Sequence, residues 1–345
     1  MLRILLIALC IAVSTVGSIN SVSASRFEDY WTVEEFLSLN VEQVALSETF
    51  SIAVRKEART TNSSNAVAKI AVVYPGLQVS DYWRRSIVSL EKRLQEAGQK
   101  YELITHFTKP GESVGEQGQK LGEFLAQEPD YLIFTLNVNR HKNVIRKLLA
   151  RSSTQVILQN ITTPLKEFSA LQPFQYVGFD HALGTGLLVE RYFELFPNGA
   201  EYAIFYGPKG YVSDMRGGTF LQAMQKNKNM VLKDSYFVGF NREKSREAAL
   251  EVLKTHPNLK FIFSASTDIA LGVIDAVEEM GLQGKVITNG WGGGSAELEA
   301  LRSNKMTLTV MRMNDDNGVA MADAIVLAQS GLRIKSQQFT LVIWF

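Results

Sequence analysis

The chain alternates short apolar runs with amphipathic stretches along most of its length. Lys69-Ile-Ala-Val-Val-Tyr74 opens the series, a β-branched run of the kind buried on both faces of a parallel sheet. Pro75-Gly76 stops it, and Ser80 or Asp81 is placed to cap a helix. In that helix Trp83, Ile87, Leu90 and Leu94 recur at helical spacing until Gly98. Further strands are predicted over 101–107, 131–136, 154–158 and 176–179, with helices between most of them. The pattern then restarts. Strands over 201–206, 232–238, 261–264, 286–288 and 307–311 alternate with helices over 212–226, 242–255, 268–280, 295–302 and 317–329. The doubling predicts an α/β protein of two doubly wound parallel-sheet lobes facing each other across a cleft. Two helical stretches before residue 59 are expected to wrap the outside.

The N-terminus adds a destination. Met1-Leu2-Arg3 is positively charged, residues 4–16 are apolar, and Val22-Ser23-Ala24 offers small residues for cleavage. Residues 1–24 therefore read as a secretory signal peptide, removed on export to the periplasm. The sole cysteine, Cys10, lies inside it, so the mature chain is expected to have no thiol and to depend on packing for stability. With 345 residues and 46% hydrophobic content, the chain can bury a core for two domains. Lys and Arg number 36 against 35 Asp and Glu, so no basic surplus points to nucleic acid. Asn62 and Asn160 begin glycosylation-type triplets, a pattern common by chance.

Polar residues fall just past the strand ends, where ligands of open α/β sheets lie. They are Gln78, Ser80, Asn160, Arg216, Thr267, Trp291 and Arg312, with Trp83 just inside the first helix. Trp83 is equally readable as core. The Asn160 amide can both donate and accept, as recognition of hydroxyl groups requires, or it can make a local turn. Thr267 opens a helix whose free N–H groups favour a polar ligand, while Asp268 reads as that helix's cap. Arg216 lies early in a helix, where the dipole disfavours a cation and a partner anion would help. Arg312 directly follows a strand. Each arginine alone could serve a structural ion pair, but together they suit an anionic or hydroxyl-rich ligand. Gly290-Trp-Gly-Gly-Gly294 lacks nucleotide-loop spacing and reads as a flexible crossing between lobes. No catalytic motif is present, and His106, His141, His181 and His256 are not at metal-ligand spacing. The expectation is a binding protein with no catalytic residue and no metal.

Several runs carry a resemblance. Val73-Tyr-Pro-Gly-Leu-Gln-Val-Ser-Asp-Tyr-Trp83, Asp130-Tyr-Leu-Ile-Phe-Thr-Leu136, Ile157-Leu-Gln-Asn-Ile-Thr-Thr-Pro164, Tyr176-Val-Gly-Phe-Asp-His181, Asn289-Gly-Trp-Gly-Gly-Gly-Ser-Ala-Glu-Leu298 and Val310-Met-Arg-Met-Asn-Asp-Asp316 resemble the LuxP family. These are periplasmic autoinducer-2 receptors related to the ribose-type sugar-binding proteins, and the likeness extends from about residue 30 to about residue 332. It implies a type I periplasmic binding protein fold with a three-segment hinge, crossing near Pro164, Gly290 and Asn314. One lobe would then comprise 27–163 plus 291–311, the other 164–290 plus 312–345.

The implied ligand is the furanosyl borate diester form of autoinducer-2, with no other cofactor. Gln78, Ser80, Trp83, Asn160, Arg216, Thr267, Trp291 and Arg312 would contact it, the two arginines offsetting the borate charge. The implied partner is the periplasmic domain of the membrane sensor histidine kinase LuxQ, regulated in quorum sensing by lobe closure. The alternative is a periplasmic sugar-binding protein delivering ribose or unborated autoinducer to an ABC permease. One departure stands out: the family continues beyond Val342, whereas this sequence ends at Phe345. The final strand is therefore expected to lack its usual cover and to expose Trp344 and Phe345.

Overall fold

The computed structural model describes residues 29–60, 66–110, 114–136, 141–168, 171–330 and 339–343. The expected leader, Asn62, Trp344 and Phe345 lie outside them. Two outer helices, α1 (Val33–Leu39) and α2 (Val41–Val54), come first. A parallel sheet follows, built from β1 (Ala68–Tyr74), β2 (Tyr101–Phe107), β3 (Tyr131–Phe134), β4 (Gln155–Gln159) and β5 (Gln175–Gly178). It is interleaved with α3 (Tyr82–Glu96), α4 (Val114–Leu125) and α5 (His141–Arg151). A second parallel sheet contains β6 (Ala200–Tyr206), β7 (Met230–Phe237), β8 (Phe261–Ser264), β9 (Ile287–Gly292) and β10 (Leu308–Met311). Its helices are α6 (His181–Leu195), α7 (Tyr211–Ser213), a π-turn (Asp214–Gly218), α8 (Thr219–Met224), α9 (Arg242–Thr255), α10 (Thr267–Glu279) and α11 (Ser295–Arg302). Then α12 (Asn314–Gln329) returns to the first lobe, and β11 (Phe339–Ile343) pairs with β5.

The strand orders are β11-β5-β4-β3-β1-β2 and β10-β9-β8-β6-β7. Apart from β11, each sheet follows the doubly wound pattern 2-1-3-4-5, with every pairing parallel. Both lobes thus have a topological switch point at the carboxyl ends of their first and third strands, where such sheets bind ligands. The two-residue period of β1 explains its unbroken apolar run. Ile70, Val72 and Tyr74 join the core under α3 and α12, while Ala71 and Val73 join the core on the opposite face, beside Leu121 and Ile145.

The expected lobe limits shift. Residues 175–178 and the α12–β11 segment belong to the first sheet, whereas 291–311 belong to the second. Both strands flanking Pro164 lie in the first sheet, so that segment is a loop within one lobe. Among the described residues, the chain crosses between the lobes twice rather than three times: between β5 and α6, and between β10 and α12. The glycine run is no crossing either. Its first three residues end β9, and its glycines admit close neighbours. A Cβ on Gly290 would lie 2.4 Å from a Glu297 carboxylate oxygen, and one on Gly292 would lie 2.7 Å from Arg312 Nη2. Gly293, at φ +66°, is left-handed and turns the chain into α11.

The first lobe is held by α3 against α12. Arg93 makes a two-pronged pair with Asp323, at 2.7 and 2.9 Å, and also donates to the Lys56 carbonyl beyond the end of α2. Backbones approach closely at Gly318, where a Cβ would come within 2.2 Å of the Ser86 carbonyl oxygen. Gly318→Ala should therefore destabilise the protein by about 1–3 kcal/mol despite the better helix propensity of alanine. Urea unfolding tests this, and a gain in stability would refute the close approach.

Candidate functional site

All eight residues singled out in the sequence line one cavity of about 40 Å³ between the lobes. Gln78, Ser80 and Trp83 come from the loop and helix after β1, Asn160 from the end of β4, and Arg216 from the π-turn after β6. Thr267 follows β8, Trp291 ends β9, and Arg312 follows β10. Every one stands at or beyond a strand's carboxyl end. Trp83 is both core and wall: it is 4% exposed and its ring packs 4.6 Å from Tyr74 and 4.7 Å from Tyr82. The same holds for Asn160. Its backbone makes the local turn, at φ +69°, and its buried Oδ1 has no hydrogen-bond partner among the described residues.

The two guanidinium groups dominate the electrostatics. Arg216 is stacked 3.8 Å from the centre of the Trp291 ring and donates to the Ala265 carbonyl at 2.7 Å. Arg312 lies 4.2 Å over the Tyr82 ring, and its buried Nε has no partner. Neither forms an ion pair with a carboxylate among the described residues. Burial, and then repulsion from Arg312, pushes the Arg216 pKa well down; burial also lowers that of Arg312. An arginine in a protein nevertheless keeps its proton. The strain therefore appears as a demand for negative charge.

One buried carboxylate partly meets that demand, and it was invisible in the sequence. Glu297, in α11, accepts from Thr267 Oγ1 (2.5 Å), the Trp291 N–H (3.0 Å), the Gly293 N–H (2.7 Å) and Thr309 Oγ1 (2.5 Å). It fixes Thr267 and Trp291 in the wall, and its charge acts favourably on both arginines. Saturated by four donors, it is a builder of the wall.

His181 is a second residue the sequence reading passed over. Arg216 Nε donates to its Nδ1 at 3.3 Å, so the ring proton is on Nε2, which donates to the Asn160 carbonyl at 3.1 Å. The neutral imidazole thus links a candidate ligand residue of each lobe, just past a crossing. Burial, then Arg216, pushes its pKa well below the usual histidine range. Asp268 also departs from expectation. Ser266 caps α10 by accepting from the Ile269 N–H, while Asp268 accepts from the Val79 and Ser80 N–H groups of the other lobe. No metal-binding cluster of His, Cys, Asp or Glu, and no helix long and apolar enough to cross a membrane, occurs among the described residues.

Comparison with known proteins converges on one fold. A family model described as a periplasmic binding protein domain matches residues 70–332. The D-allose-binding periplasmic protein of Escherichia coli is 29% identical over 166 residues, 47% of this chain and 52% of that protein. The ribose import binding protein RbsB of Salmonella typhimurium is 28% identical over 114 residues, 32% of this chain and 38% of its own length. The matches thus span about half or less of these curated relatives. Among solved structures, a periplasmic solute-binding protein from Actinobacillus succinogenes with bound D-allose superposes at a TM-score of 0.68 with 22% identity, covering 80% of this chain and 96% of that one. A solute-binding protein from Burkholderia graminis in complex with D-arabinose gives 0.68 with 16% identity, covering 79% and 93%.

The buried histidines make stability pH-dependent. Burial lowers the His141 pKa to about 4 and holds that of His181 well below its ordinary value, so below about pH 6.5 the unfolded chain binds protons that the folded chain refuses. As pH falls from about 6.5 to about 5, each histidine should remove stability at a slope approaching 1.4 kcal/mol per pH unit. Urea unfolding across that range should show the combined slope and, in His141→Phe, a shallower one. A flat profile would mean that these rings titrate normally.

Proposed function

Because this chain belongs to the periplasmic binding protein family, we propose that it captures a small, polyhydroxylated ligand in the cavity between its lobes and acts by lobe closure. The observation that carries this reading is the convergence of hydroxyl, amide, indole and guanidinium groups from both lobes on one small cavity at the carboxyl ends of the sheets. No catalytic step is assigned to it. Membership of the family supports export to the periplasm.

Two arginines without carboxylate partners favour a ligand that brings negative charge. A buried ion without a counter-charge costs several kcal/mol, and an anionic ligand recovers much of that cost on binding. The furanosyl borate diester of autoinducer-2 has the right character: ring hydroxyls for Asn160, Ser80 and Thr267, and one negative charge for Arg216 and Arg312. On this reading, closure is sensed by the periplasmic domain of a LuxQ-type histidine kinase, ligand binding shifting the population of closed receptor. A second reading is favoured by the relatives named for D-allose binding and ribose import: a neutral sugar carried to an ABC permease.

Calorimetric titration separates the two. The mature protein is titrated with autoinducer-2 precursor with and without borate, and with D-ribose and D-allose. The signalling reading predicts binding that requires borate and that weakens by at least about tenfold in Arg312→Ala, the loss expected of one charge-assisted hydrogen bond. Borate-independent binding of either sugar would establish the transport reading. A folded protein that binds none of these would refute both.

A further inference from the structure

The loop between β1 and α3 carries Gln78 and Ser80, and it is gripped from two sides. On the side of its own lobe, Arg84 donates to the Gly76, Gln78 and Val79 carbonyls at 3.1, 2.9 and 3.3 Å. On the side of the other lobe, Asp268 accepts from the Val79 N–H at 2.8 Å and the Ser80 N–H at 3.3 Å. The loop's peptide dipoles therefore run from a cation in one lobe to an anion in the other. Beside this contact, Ser295 Oγ donates to Asp81 Oδ2 at 3.3 Å, and a Cβ on Gly294 would approach Asp81 Oδ1 to 2.7 Å.

We infer that Asp268 is the latch of lobe closure, a positioning residue that stabilises the closed state by seizing the loop that presents Gln78 and Ser80. Three observations carry this. Asp268 does not line the ligand cavity, so its bonds across the cleft join the two lobes directly rather than through that cavity. It is also released from helix capping, because Ser266 performs that task. Finally, it is 4% exposed with the lobes together, yet both of its cross-cleft partners belong to the opposite lobe, so separating the lobes returns carboxylate and amides to water. Hydrogen bonds to a charged acceptor are stronger than neutral ones, so losing both should lower the closed-to-open ratio by at least about tenfold. A ligand that needs the closed state would then bind correspondingly more weakly. Gly294 belongs to the same device, since a side chain there would push Asp81 away and wedge the seam.

The latch rests on the reading of the cleft as a closing site but not on which ligand fills it, and its test is made without ligand. The described residues contain no cysteine, so spin labels at Val88→Cys in α3 and Val231→Cys in β7, both exposed and in opposite lobes, report the interlobe distance by pulsed electron resonance. The full mature chain is compared with Asp268→Ala, with the isosteric Asp268→Asn, which turns an amide donor towards one of the two N–H groups, and with Gly294→Ala. The expected result is a short-distance population in the parent that falls at least about tenfold relative to the long one in Asp268→Ala, with an unchanged thermal midpoint. Asp268→Asn and Gly294→Ala should shift the distribution in the same direction. If Asp268→Ala fails to fold, Asp268→Asn decides. A parent distribution already entirely long, or a folded Asp268 variant whose distribution matches the parent, overturns the latch. Failure of every sugar and borate titration would leave this readout intact.

Discussion

Two guanidinium groups line one cavity between the lobes, and a single fully buried carboxylate, Glu297 behind the wall, acts on both. Much of the surrounding architecture follows from that imbalance. Glu297 is 0% exposed and saturated by four donors, so it cannot also pair with the arginines. The rings of Trp291, Tyr82 and Phe179 face the cations and soften their burial through π-electron density. His181 must remain neutral, because a protonated ring would lose its ability to accept from Arg216 and would add a third cation. Glycines at 290 and 292 make room for Glu297 and Arg312 where a Cβ would collide with them. The cleft thus concentrates positive charge that its own carboxylate only partly offsets.

The fold explains how such residues meet. Each sheet places its strand ends, and hence the residues just after them, on one rim, and the two rims face each other. The π-turn at Asp214–Gly218 lets the helix after β6 bring Arg216 to the wall, where its Nε reaches His181 and its Nη1 the Ala265 carbonyl. The N-terminal segment reinforces this junction. Tyr30 bridges to Leu165 and packs 4.8 Å from Tyr211 of the second lobe, whose hydroxyl accepts from Thr163 at 2.7 Å.

Strand and helix positions were legible because buried parallel strands such as Lys69–Tyr74 form uninterrupted β-branched runs, and because polar residues after them have few structural reasons to cluster. The same rule located Arg216, Thr267 and Arg312. Which sheet a strand joins was not legible. β5 and β10 have the same local character as their neighbours, and only the placement of crossings, a long-range property, assigns them. Glycine at 290–294 was misread as freedom when it is proximity: the colliding atoms belong to Glu297, Arg312 and Met311, near in space but not encoded in the run itself. Glu297 was missed because a glutamate in the first turn of a helix normally faces solvent, and its burial depends on donors from three other segments. Asp268 was misassigned for a similar reason, since nothing local distinguishes a cap from a carboxylate that reaches another lobe.

If the cleft holds positive charge that Glu297 only partly offsets, stability without ligand should reveal it. Arg312→Met replaces a buried cation lacking a partner at Nε by an apolar side chain that can lie on Tyr82 and Phe179. Thermal unfolding of the ligand-free variant should occur at a higher temperature than that of the parent, with a gain of about 1–4 kcal/mol, the range seen when buried ionic groups give way to apolar ones. A variant less stable than the parent would contradict it, showing that Arg312 is already satisfied by the protein and that the cleft makes no demand for an anion.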